Sequence, residues 1–236
     1  HWCMLAFTGA IGSLLFKLTF PKVKYVLDLQ DGRTYEERKD TFGPIVFPII
    51  RASFKKTDMI KGLGTFHKVV AEKMGSKSDF KRIPNGVATS IFANGVENSD
   101  TKAVKEKLKL KSDKKYLIST TRLVARRGHE ALITSLSHLP ADYHLILCGS
   151  GPQEDSLRKL ATGLAVADRI IWAGDVDYKD IPKYLSVADV FVRPSVYEGM
   201  GNSFIEAFAF GIPVVGTPVG GIVDFLFDES KNTHPD

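Results

Sequence analysis

Cysteine is scarce in this chain of 236 residues, with only Cys3 and Cys148 present. Two thiols so far apart build neither a disulfide framework nor a metal site. Cys148 closes an apolar run and reads as a buried side chain suited to a reducing cytosol. Long hydrophobic runs are also missing. The most apolar stretch, residues 2–16, is too short for a comfortable membrane span and has no charged segment ahead of it, so it is a weak signal-peptide candidate. It is read as a core helix. No short solenoid repeat and no low-complexity tract occurs. The acids are scattered and no metal-ligand cluster is visible, so no metal site is expected. Basic residues are not interleaved with aromatics, which argues against nucleic acid as a partner. The lysine-rich run Thr101–Lys115 therefore reads as a solvated helix.

What is present is ordinary soluble composition with an uneven charge. The formal net charge is +5. Residues 1–100 hold 15 Lys and Arg against 10 Asp and Glu, and the remainder holds 17 of each. Two readings of the basic first part stay open: a solvated face, or peripheral association with the inner face of an anionic membrane.

Apolar runs alternate with helical patterns through most of the chain. In the first part, strands are expected at residues 23–29, 58–61 and 80–83. A charged loop at Arg33–Asp40, a helix from Pro44 to about Lys56 and a helix at Phe66–Met74 lie between them. The polar, aperiodic stretch Val87–Thr101 is the best boundary, giving domains at 1–92 and 93–236. Beyond it, strands are expected at 116–120, 144–148, 169–173, 187–192 and 213–216. Helices are expected at 129–137, 153–161, 180–186 and 202–210. This order predicts a parallel sheet wound on both faces.

The most informative stretch is Arg193–Gly216, read as strand, tight loop, helix and strand. Pro194 stops the strand. Gly199 and Gly201 let the backbone bend and approach a ligand. Asn202 or Ser203 can cap the next helix, and Gly211 ends it. Free N–H groups and the positive end of a helix dipole suit a phosphate. Glu198 in the loop and Glu206 in the helix supply carboxylates able to accept from the vicinal diol of a ribose or hexose. Taken singly, Glu198 reads as a solvated loop acid and Glu206 as a helix-start acid favoured by the dipole.

The whole string P-S-x-x-E-G-x-G-N-x-x-x-E-A-x-A-x-G-x-P-V-V resembles the signature of retaining glycosyltransferases of the group 1, or family-four, type. The resemblance extends to Thr120-Thr-Arg122-Leu-Val-Ala-Arg-Arg127-Gly128, to Cys148-Gly-Ser-Gly-Pro152 and, more loosely, to Ile83-Pro-Asn-Gly-Val87. It implies the GT-B fold: α/β, two Rossmann-like domains with parallel sheets facing across a cleft. The chain would then be a piece of a longer protein, without the start of the first domain and the extreme C-terminus. Residues 1–92 would be the later part of the acceptor-side domain, and 93–236 the donor-binding domain.

The activity implied is transfer of a hexose-type sugar from a nucleoside-diphosphate sugar to a glycan or lipid-linked acceptor, with retention, in envelope polysaccharide synthesis. Glu198, Arg122 and Arg127 would be catalytic. Glu206, Gly199, Met200, Gly201, Asn202, Ser203, Gly149 and Ser150 would bind the donor. No cofactor is implied beyond the sugar nucleotide as co-substrate. The enzyme would be metal-independent and cytoplasmic.

Three departures stand out. Arg127 replaces the usual Lys, Thr121 stands where Gly is usual, and Gln30-Asp31 occupies the place where many relatives carry a His, so no catalytic His is assigned. A sugar-nucleotide epimerase and a non-catalytic nucleotide-sugar-binding remnant are the alternatives. A phosphorylase would need a Lys for pyridoxal phosphate that cannot be picked out here. A nicotinamide dehydrogenase is rejected because Gly149-Ser-Gly151 lacks the third glycine of the fingerprint.

Overall fold

A computed structural model describes residues 7–92 and 96–226. Its contacts separate two compact units: one of residues 1–85, 197–201 and 218–236, the other of 86–196 and 202–217. The division differs from the 92/93 boundary read in the sequence. The short helix α4 of the second unit (Thr89–Phe92; elements are numbered along the chain) explains the shift. Phe92 is buried there and meets Tyr178 edge-on, with ring centroids 5.4 Å apart. Apolar burial outweighs the polar composition around it.

The first unit opens with helix α1 (Phe7–Thr19). Within the run expected to be a core helix, Leu15 is 60% exposed, and Leu18 and Phe20 just beyond it are also more than half exposed. The helix is present, but this part of its apolar surface is not core. Cys3 and the rest of residues 1–6 lie outside the described residues. Three parallel strands follow in the order β1-β2-β3: β1 (Val26–Leu29), β2 (Met59–Gly62) and β3 (Asp79–Arg82). Leu27 pairs with Ile60 and Ile60 with Phe80.

Helix α2 (Tyr35–Lys56) and helix α3 (Thr65–Lys73) connect them. The charged stretch expected to be a loop is the first part of α2. Thr34 accepts from the Glu37 N–H, and the Glu37 side chain accepts from the Thr34 N–H, a capping box that starts the helix early. Gly43 breaks it at φ 64°, and Pro44 reopens it. Phe47, Ile50, Phe54, Val70 and Met74 pack on Leu27, Leu29 and Ile60 to form this unit's core.

The second unit carries helix α5 (Asn98–Lys107) and then a five-stranded parallel sheet of order β6-β5-β4-β7-β8. Its strands are β4 (Lys115–Thr120), β5 (Tyr143–Cys148), β6 (Ile170–Gly174), β7 (Val190–Arg193) and β8 (Val214–Gly216). Helices α6 (His129–His138), α7 (Glu154–Gly163), α8 (Ile181–Leu185) and α9 (Asn202–Phe210) link them. Ile118, Ile146 and Phe191 are fully buried. Val187 precedes the strand expected to include it, because Ser186 and Val187 still bond back to α8. Cys148 is buried, and burial pushes its thiol up to about 12, so it stays protonated and inert.

Candidate donor-binding site

Strand order decides where a ligand can sit in the second unit. From β4 the chain moves outward through β5 to β6, then returns to the other side of β4 with β7 and β8. The connections after β4 and β7 therefore leave the sheet in opposite directions. In open parallel sheets that reversal opens a crevice at the carboxyl ends of the two strands. The loop after β4 is Thr121–Gly128, and the connection after β7 begins at Pro194. Both sequence motifs thus start at the switch point.

The β4 loop is held from three sides. Thr121 N–H donates to the Cys148 carbonyl, and Leu123 N–H to that of Ser150, both at 2.9 Å. Gly149, at φ 138°, leaves no room for a Cβ against the Thr121 carbonyl. Val196 N–H donates to the Arg126 carbonyl at 2.9 Å, tying the two switch-point loops together. Ala125–Arg127 form one 3-10 turn, ended by Gly128 at φ 73°. A Cβ at Gly128 would run into the Pro194 carbonyl, so glycine is required twice over. Arg122, ahead of this turn, is exposed, and Arg127, its last residue, is half-buried just before α6. The Ser150 hydroxyl donates to Asp175 at 2.8 Å.

Helix α9 begins at Asn202, after Gly201 at φ 76°. Ser203 lies inside the first turn of the helix. Its hydroxyl accepts from Arg193 Nη1 at 2.5 Å, and the Arg193 guanidinium lies 4.5 Å from the Phe204 ring centroid. Glu206, one turn into the helix, is buried. Burial pushes its carboxyl above the usual carboxylate range, while the Arg193 charge and a hydrogen bond donated by Tyr178 hold it back. One hydrogen bond from a phenol leaves further lone pairs for a diol.

Three participants escaped the sequence reading. Arg193 could have been noticed as a charge ending an apolar strand. His129 follows Gly128 directly, is 1% exposed, and has no hydrogen-bond partner at either ring nitrogen. Its pKa falls to about 4, through burial first and then the charges of Arg193 and Arg127. Tyr178 carries no local signal, being 28 residues from the carboxylate it serves.

Glu198, Gly199, Met200 and Gly201 fall by their contacts in the first unit. There the Glu198 backbone lies against Gly32 and Gly220, and Gly199 lies against the Gln30 carbonyl. The Glu198 carbonyl accepts from Gly221 N–H at 3.1 Å. Met200 sulfur accepts from Asn85 N–H at 3.3 Å. The sequence places Glu198 and Glu206 in one motif; the contacts assign them to different units.

An open parallel sheet with a glycine-shaped switch point defines a Rossmann-like nucleotide-binding class of domain. The fold matches GT-B glycosyltransferases: HepE of Anabaena, solved in complex with UDP, superposes with a TM-score of 0.82 at 19% identity over 96% of this chain and 62% of that one. Sucrose-phosphate synthase of Thermosynechococcus elongatus matches at 0.77, with 22% identity over 93% and 56%. The family model described as glycosyl transferases group 1 matches residues 100–233, and the chain belongs to that family. Among curated relatives, the GDP-mannose-dependent alpha-(1-6)-phosphatidylinositol monomannoside mannosyltransferase of Mycolicibacterium smegmatis is 30% identical over 69% of this chain and 44% of its own length. The lipopolysaccharide core biosynthesis glycosyltransferase LpsE of Rhizobium meliloti is 40% identical over 52% and 35%. The chain spans less than half the length of these relatives. No helix among the described residues is long and apolar enough to cross a membrane.

Proposed function

We propose that the second unit binds the nucleoside-diphosphate part of a sugar donor, and that the protein transfers its hexose to a glycan or lipid-linked acceptor with retention of configuration. The observation that carries this reading is the convergence at the switch point. The Arg122–Arg127 turn, the α9 N-terminus and buried Glu206 all belong to the two connections that diverge there.

Transfer breaks the bond from the anomeric carbon to the diphosphate and forms one to the acceptor oxygen. The negative charge left on the diphosphate needs cations and N–H donors fixed in advance. Arg122, Arg127 and the helix start at Asn202-Ser203 supply them without a metal ion. Glu206 accepts from the ribose hydroxyls, with Gly149 and Ser150 lining the turn beside the Arg loop. Glu198, with Gly199 to Gly201, keeps the role that the motif implies and orients the sugar. The UDP of HepE and the GDP-mannose of the mycobacterial relative suggest two bases to try first. Envelope glycans are the acceptor class that relatives such as LpsE suggest. A cytoplasmic location, peripheral at the membrane, accords with such acceptors and with the basic first hundred residues.

Calorimetric titration with UDP, GDP, ADP and dTDP tests the donor site. One nucleotide should bind, and Glu206→Ala should weaken it at least tenfold, or about 1.4 kcal/mol. Absence of binding by folded protein overturns the assignment.

A further inference from the structure

The segment carrying Glu198 is gripped within the first unit by two walls. One wall is the turn after β1, where Gly32 abuts the Glu198 backbone and the Gln30 carbonyl abuts Gly199. The other is the turn Gly220–Asp224, where Gly220 and Gly221 abut the Glu198 and Gly199 carbonyls and Gly221 N–H bonds to Glu198. Glycines line both walls because a Cβ at any of these positions would overlap backbone.

Both walls are fastened to the first turn of α3. Asp224 caps that helix: its carboxylate accepts from the Thr65 N–H at 2.6 Å and from the Thr65 hydroxyl. Two residues on, His67 is fully buried, and its Nε2 lies 3.1 Å from the Asp31 carbonyl oxygen. A carbonyl only accepts, so Nε2 carries the proton and donates. Burial pushes the His67 pKa down, which keeps the ring neutral and this tautomer in place. The Asp31 carboxylate is held in turn by Arg38 and by the Arg33 N–H.

We infer that the first turn of α3 is a brace that sets the spacing of the two walls, making His67 and Asp224 positioning residues for Glu198. The inference rests on the reading of Glu198 as the group that orients the donor sugar. The brace acts on that orientation only, not on capture of the nucleotide. Its loss therefore lowers the affinity added by the sugar and leaves affinity for the bare nucleotide unchanged.

The test compares UDP with UDP-glucose and GDP with GDP-mannose by calorimetry on the whole chain. The variants are His67→Leu, which has no donor for the Asp31 carbonyl, Gly32→Ala, Glu198→Gln and the double change of His67 and Glu198. The gain in affinity from nucleotide to sugar nucleotide should fall about tenfold in His67→Leu and in Gly32→Ala. Nucleotide binding should stay within twofold. In the Glu198→Gln background, adding His67→Leu should change nothing more, because the brace acts through that one carboxylate. Gly32→Ala reports on the same wall if His67→Leu proves unstable. An unchanged sugar gain in both single variants, or additive losses in the double one, overturns the brace while leaving the donor site standing. Failure of every nucleotide to bind overturns the donor site and the brace with it.

Discussion

His129 is a buried imidazole with no hydrogen-bond partner at either nitrogen, beside two guanidinium groups, so acid should attack the second unit there. Its pKa drops from 6.5 to about 4 in the folded chain. That depression is worth about 3 kcal/mol of stability, at 1.36 kcal/mol per tenfold change in proton affinity. The sign follows from linkage: the unfolded chain binds the proton more readily, so the contribution is fully present above pH 6.5. It is lost as the pH falls toward 4. About 2 kcal/mol is gone by pH 5.

His129→Leu keeps the volume, removes two unsatisfied polar atoms and titrates nothing, so its stability should fall less on acidification. The assay is urea unfolding at pH 7 and pH 5, followed by Trp172 fluorescence in a Trp2→Phe background. The difference between the two pH values should shrink by about 2 kcal/mol in the variant. An unchanged difference refutes the account of His129 as a buried neutral base.

Glu206 gives a prediction of the opposite sign. Its folded pKa is raised by burial, so its charge costs stability once the pH exceeds the usual carboxylate range. Glu206→Gln should therefore raise the melting temperature at pH 7, lose that advantage as the pH falls through the raised folded pKa, and still bind nucleotide worse. Equal melting temperatures across that range contradict it. Gly128→Ala meets both a left-handed backbone and the Pro194 carbonyl, and should destabilise by roughly 2 kcal/mol. Gly86→Ala, with nothing within 4 Å, serves as its near-neutral control in the same denaturation assay. Arg193→Met strips Ser203 of its partner and removes the cation that restrains Glu206. A loss of about 3 kcal/mol in chemical denaturation is expected, with the Glu206 pKa moving further up by NMR titration.

Much was legible in the residues themselves. Local period and punctuation fixed helix α9 to the residue, and Pro194 and Gly211 ended their elements where proline and glycine must. The alternation beyond residue 115 gave the strand count, since buried parallel strands are short apolar runs. Where the reading failed locally, a signal was present: Thr34-x-x-Glu37 is a capping box, yet its charge made it look like a loop. Composition misled at Leu15, because apolarity records a preference for burial without supplying the surface that would bury it.

Only tertiary structure could decide the rest. Which strands are neighbours is a non-local matter, and the order β6-β5-β4-β7-β8 creates the switch point that gives the two loops one address. Bonds such as Tyr178 to Glu206 and His67 to Asp31 join residues tens of positions apart. Nothing in their own neighbourhoods encodes them, because they form only once separate elements have packed. Sequence thus determined the chemistry on offer and the local shapes. Packing determined which carboxylate is buried, which imidazole stays neutral, and which glycines have no room for a side chain.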